Sequence, residues 1–159
     1  MEKYNTLRDI KDFYLFINKI PEYNLKLQGI LKKEKLTYEE EEVRLISRYF
    51  IELEENGYFN VENKKEFIVY LGEAFIKEFG GEWEFTGLKS DSFATNEPVI
   101  VKSTIGGIRE APSEMISKIF EENNDDYFNW SIKYTKDFRK KTDDVFAQLF
   151  PKKNNNKKK

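Results

Sequence analysis

The residue whose type and position could most readily do chemistry in this chain is Glu73. It follows Gly72 in the middle of a run, Glu66 to Phe79, that is otherwise almost entirely apolar. A carboxylate there carries a burial penalty unless it is paired or hydrogen-bonded. Held in a cleft beside Tyr70, Trp83 and Arg109, it would have a raised pKa and could act as a general acid/base or a cation ligand. The alternative, which the sequence favours, is a structural acceptor for the Trp83 indole N–H, a Tyr hydroxyl or a backbone turn. Gly72 would then let another backbone approach closely, which explains why a helix tolerates its cost of roughly 1 kcal/mol.

Other candidates are weaker. Glu82 and Glu84 flank Trp83 and, two apart on a strand, share one face. They could form an acid/base pair or a divalent-metal site, or a solvated edge that discourages sheet aggregation. No Asp-rich loop or His lies nearby, so no metal is expected. Gly80-Gly81 follows a helix, whereas phosphate-binding loops follow a strand and open a helix. Gly106-Gly107 does precede a helix, with Arg109 close by, but neither pair has the spacing of a phosphate loop, and turn chemistry accounts for both.

The wider catalytic vocabulary is missing. The chain has no cysteine and no histidine, which excludes disulfides, thiolate nucleophiles, Ser-His-Asp and Cys-His catalysis, and His- or Cys-based metal centres. No catalytic residue and no cofactor is assigned, and the chain is not expected to be an enzyme.

Charge gives a different signal. Acidic runs at Glu39-Glu40-Glu41-Glu42 and at Glu52-Leu53-Glu54-Glu55 lie at the two ends of one helix. Such runs are usually a solvated face. Together with Tyr49 and Tyr58 they could instead form a docking surface for a basic protein partner. The segment from Pro151 to Lys159 holds five lysines and no acid, which reads as a disordered Lys/Asn tail. It could meet nucleic acid or anionic lipid by counterion release. Because the body carries no basic stripe, solubility is the expected role, and neither nucleic acid nor membrane is expected as a partner.

The elements that position these residues can be read from periodicity. Thr6 to Ile20 carries Leu7, Ile10, Phe13, Tyr14 and Ile17 at helical spacing, with Thr6 as a candidate cap. Pro21 should break it, and a second helix should run to about Lys33. Thr37-Tyr38-Glu39-Glu40 fits a capping box opening a helix with Val43, Ile46, Phe50 and Leu53 on one stripe. The next helix, about 63–80, is apolar nearly all round and so should be buried against several neighbours. Gly80 should end it in the left-handed region. Strands are expected at about 82–88 and 98–105, antiparallel, joined by a loop at 89–97. Ala111-Pro112-Ser113-Glu114 starts a further helix, and a last one places Tyr127, Trp130, Tyr134 and Phe138 on one stripe, continuing with a bend near 141–143 to Phe150.

The expected fold is therefore α+β: one helix-rich domain over 1–150, with a central buried helix on a small antiparallel sheet and amphipathic helices around it. Residues 1–57 form its helical N-terminal part, 62–122 an α-β-β-α core and 126–150 a C-terminal helix. The start of the chain shows no secretory signal pattern, and no apolar run could span a bilayer, so a cytoplasmic location is expected. The abundance of Lys, Asn, Glu and Ile hints at a bacterial source.

Tyr70-Leu71-Gly72-Glu73, Phe79-Gly80-Gly81-Glu82-Trp83, Pro98-Val99-Ile100-Val101 and Pro112-Ser113 form an ordered set over residues 62–122. It resembles a loose group of small, mostly uncharacterised bacterial cytoplasmic proteins, some associated with polymorphic-toxin immunity. The resemblance implies an inhibitor that neutralises a toxin by direct binding, and implies no catalytic residue. Two rival readings are a carboxylate-based hydrolase or small-ligand protein using Glu73, and an accessory protein that binds nucleic acid through its lysine tail.

Overall fold

The computed structural model describes residues 6–87, 96–104 and 109–151. In chain order these form α1 (Ile10–Leu31), α2 (Glu40–Glu55), α3 (Val61–Phe79), β1 (Glu82–Thr86), β2 (Glu97–Val101), α4 (Pro112–Glu122) and α5 (Tyr127–Leu149). The architecture is the expected helix-rich α+β arrangement, with α3 at its centre.

Helix α3 is central because nearly every face of it is apolar. Glu66 to Gly72 is buried without interruption, as are Ala74, Phe75 and Phe79. Phe50 of α2 stacks on Phe67 with ring centroids 4.4 Å apart, and Trp83 of β1 meets Phe16 of α1 edge-on at 5.5 Å. The helix opens on a capping box in which Asn60 and Asn63 exchange side chain-to-backbone bonds. At its other end Gly80 has φ 70° and ψ −168°. This is a positive-φ conformation outside the left-handed helical region that was expected, and Gly81 follows at φ 114°. Only glycine adopts both without strain.

The chain then turns directly into β1, which pairs antiparallel with β2 from Glu82↔Val101 to Thr86↔Glu97. Both strands are shorter than the periodicity implied. β2 stops where Lys102 enters the left-handed region (φ 57°), and Thr104 N–H donates instead to the Phe79 carbonyl. On its other edge β2 bonds to the lead-in of α4, with Ile100 and Glu110 exchanging N–H···O bonds of 2.8 and 3.0 Å. Covered on both edges, every residue of β2 is buried. The expected Leu88 and Ile105 strand ends, most of the 89–97 loop, Gly106-Gly107 and the lysines from Lys152 onward lie outside the described residues.

Two helix starts differ from the sequence reading. Pro21 does not divide the N-terminal segment; one 22-residue helix runs through it. Pro21 is exposed, so the carbonyl left without an N–H partner can be met by water. The helix is capped not by Thr6 but by Asp9, which accepts from the N–H groups of Lys11 and Asp12 at 2.9 Å. Nor does Thr37 box with Glu40: α2 begins three residues later, and Glu42 takes over the role of reaching back. Lastly, α5 is a single helix of 23 residues in which only Phe128 is fully buried. Of its aromatic stripe Tyr127 packs against the core, whereas Trp130, Tyr134 and Phe138 are exposed.

Candidate functional site

Glu73 accepts a 2.8 Å hydrogen bond from the Trp83 indole N–H. The indole lies flat enough on α3 that a Cβ at Gly72 would sit 2.1 Å from its Cη2 atom and 2.3 Å from Cζ2. The glycine and the carboxylate thus form one joint, fixing β1 to α3 by close approach and by a polar latch. Half-buried Glu73 is held by this joint beside Trp83 as expected, while the other two residues expected there, Tyr70 and Arg109, have partners elsewhere. Tyr70 is fully buried and donates its hydroxyl to Glu42 at 3.1 Å. Arg109 lies 3.7 Å from Glu84, and Glu82 is paired with Lys102. Glu82 and Glu84 therefore face separate cations. Among the described residues no three acidic side chains gather where they could hold a metal ion.

A cavity of about 90 Å³ lies elsewhere, beneath α5, lined by Phe75, Glu110, Met115, Phe128, Ser131, Ile132 and Thr135. Glu73 does not line it. Burial raises the pKa of Glu110 there, but the space is well below the few hundred Å³ of a typical small-ligand site.

Three carboxylates that sequence reasoning did not separate from solvated ones are buried. Glu42 is 1% exposed. It accepts from the Thr37 N–H and hydroxyl, the Tyr38 N–H, the Tyr70 hydroxyl and Lys33 Nζ, at 2.9–3.1 Å. To deliver these donors the chain bends at Tyr38, which is held in the left-handed region at φ 58°. Burial works to raise the Glu42 pKa but is outweighed by the bonds from Tyr38, Lys33 and Thr37, which bring it down to about 2. Glu66 is paired with Lys26 of α1, and Glu97 accepts from the Thr6 N–H and from Lys64, both at 3.3 Å. The second carboxylate oxygens (Oε2) of Glu66 and Glu97 are buried and have no hydrogen-bond partner among the described residues. A signal for Glu66 was present: it lies four residues before Tyr70, on the same face of a buried helix.

The residues expected to form an acidic docking surface divide accordingly. Glu42 is removed from it, because its carboxylate is spent on the α2 entry turn. Tyr49 and Glu54 are half-buried, Tyr49 packing edge-on against Phe50. Glu39, Glu40, Glu41, Glu52, Glu55 and Tyr58 are exposed, Tyr58 by 71%. Arg44 bonds Glu41 at 2.9 Å and Asp126 at 2.8 Å, and Arg48 bonds Asp125 at 2.9 Å, which ties the start of α5 to α2. Asn129 adds a 2.9 Å bond to the Glu40 carbonyl. Directly after Asn129 comes Trp130, 55% exposed and stacked with Tyr134 at 5.5 Å. The sequence placed the aromatic stripe on α5 but gave no means of telling that Asn129, beside Trp130 in the chain, meets the acidic end of α2.

Among the described residues no helix is long and apolar enough to cross a membrane. Comparison with family models, with curated proteins and with solved structures finds no match to this chain.

Proposed function

We propose that this chain is a non-enzymatic protein-binding protein, and that it acts as an immunity-type inhibitor that occludes a toxin bearing a basic surface. The observation that carries this reading is the junction of α2 and α5. There Asn129, which precedes the exposed Trp130, bonds the Glu40 carbonyl, and Glu39, Glu40 and Glu41 are exposed, the first paired with Lys77 and the other two with Arg44. Aromatic anchors beside a charged rim are the arrangement that protein interfaces favour. Acidic rim charge also speeds encounter with a basic partner. The immunity role itself rests on the resemblance of residues 62–122 set out above and on the absence of His and Cys. The hydrolase reading loses ground because Glu73 is tied to Trp83 and lies away from the cavity.

The test is co-expression with the product of the neighbouring gene. A stable complex is expected, with protection of the host, and both should be lost in a Glu40→Lys/Glu41→Lys/Trp130→Ala variant that keeps the melting temperature of the parent. No complex and no protection would overturn the inhibitor role. A complex indifferent to these substitutions would overturn the surface.

A further inference from the structure

The distal half of α5 has no task in the fold. Its docking line is Phe128, Ile132 and the cavity wall at Ser131 and Thr135, reinforced by Lys136 bonding Glu78 at 2.6 Å. Every residue from Asp143 to Phe150 is exposed. Along this stretch Phe138, Val145, Phe146, Leu149 and Phe150 are 53–70% exposed. Phe146 falls on the line of Phe128 and Ile132, whereas Phe138, Val145 and Leu149 make with Trp130 and Tyr134 a helix face about 28 Å long. That face is turned roughly a third of a turn from the docking line, so the body does not cover it.

Charge says what could cover it. From Tyr127 to Lys159 the chain has ten basic residues and three acidic ones; before Tyr127 it has seventeen and twenty-six. The aromatic and aliphatic face therefore sits on a helix with five basic and three acidic residues that leads into five further lysines, in an otherwise anionic molecule. Two copies pairing face to face would set ten basic residues against ten, which opposes self-association. Stacked rings alone would suit single-stranded nucleic acid, but Val145 and Leu149 continue the face as aliphatic surface, where bases have nothing to stack on. An anionic bilayer surface offers both an apolar layer and negative charge in one plane, and a helix with aromatic and Leu residues on one face and Lys/Arg on the other binds in that plane. The lysines of residues 152–159 supply the second, polybasic signal that stable surface attachment requires.

We propose that the distal part of this face, Phe138, Val145 and Leu149, forms a peripheral anchor for anionic lipid surfaces, beyond the partner surface at Trp130 and Tyr134, with the lysines that follow α5 in the sequence adding positive charge. The attachment lies on the membrane and does not span it.

The test uses the full-length protein and vesicles of phosphatidylcholine, alone or with roughly 30% phosphatidylserine. Sedimentation should show binding to the anionic vesicles at least about tenfold tighter than to the neutral ones, weakening as salt rises. Phe138→Asp/Leu149→Asp should lower that binding by about tenfold or more while leaving the melting temperature unchanged, since both side chains are exposed. Lys140→Glu/Lys141→Glu should reduce the preference for anionic over neutral vesicles. The proposal is overturned by absence of binding to anionic vesicles, or by binding that survives the Phe138/Leu149 change. It is equally overturned by a solution dimer that Leu149→Asp dissociates, or by tighter binding to a single-stranded oligonucleotide than to the vesicles.

Discussion

Two residues, Glu42 and Gly72, hold positions that side-chain type alone would not disclose. Glu42 is the last of four consecutive glutamates, and nothing in the run marks it as different. Only the left-handed bend at Tyr38 turns the N–H groups of residues 37 and 38 onto its carboxylate. Its folded-state pKa of about 2 lies below its ordinary 4.5, so its stabilisation is fully present above about pH 4.5 and is lost as the pH falls toward 2. The corresponding linkage is roughly 3 kcal/mol. Urea unfolding of Glu42→Gln at neutral pH should therefore give a free energy lower by about 2–4 kcal/mol, and the gap to the parent should narrow as the pH drops from 4.5 to 2. A gap constant across that window would show that the charge of Glu42 is not what the fold uses. Gly72 was legible in part: a glycine in so apolar a helix implies close approach, but what approaches is the Trp83 indole and not another backbone. Replacing it with Ala gains about 1 kcal/mol of helix propensity. The new methyl, however, meets an indole pinned by Glu73 and Phe16. The steric term wins, and Gly72→Ala should lower stability by a net of about 2–3 kcal/mol in the same urea assay. A stabilised variant would mean that the indole yields.

At the scale of elements, the parts of the fold that the sequence disclosed are those where periodicity and punctuation agree. α3 is fixed by an unbroken apolar run between Asn60 and Gly80-Gly81, α4 by Pro112 at its first position, and β1 by alternation around Trp83 and Phe85. Where local rules and tertiary context compete, the local reading gives way. Pro21 removes one N–H from α1, a loss that a solvent-facing turn tolerates. Tyr23 and Leu27 just beyond it are buried against the core, and their burial outweighs the kink that Pro favours. Thr37 illustrates the converse. Its spacing to Glu40 satisfies the capping-box pattern, yet the acceptor its N–H and hydroxyl find is Glu42, because Glu42 also meets Tyr70 across the α2–α3 contact. Cap patterns describe one helix at a time, whereas this carboxylate serves two. The α5 stripe is a third case. Periodicity shows that Tyr127, Trp130, Tyr134 and Phe138 share a face, but a helix needs only one covered face, and here that face is the shorter line through Phe128 and Ile132.

At the scale of the whole molecule, these choices produce a steep gradient of stability along one chain. α3 touches α1, α2, α4 and β2, so opening it requires disrupting most of the core. The last turns of α5 have only their own hydrogen bonds, and a helix segment of that length is marginal in water without packing. Amide hydrogen exchange should resolve the two regimes. Amides of Phe67 to Phe79 should exchange only through global unfolding, whereas those of Lys140 to Leu149 should exchange through local opening with a free energy near zero to about 2 kcal/mol. The border is expected near Lys136, whose bond to Glu78 is the last ion pair between α5 and the body among the described residues. Protection of residues 140–149 equal to that of α3 would mean that the distal helix is held by something beyond its own backbone. If anionic vesicles are present, protection should rise in the distal half of α5 alone, because the anchor acts on the segment that the core leaves uncovered and α3 already exchanges at the global limit.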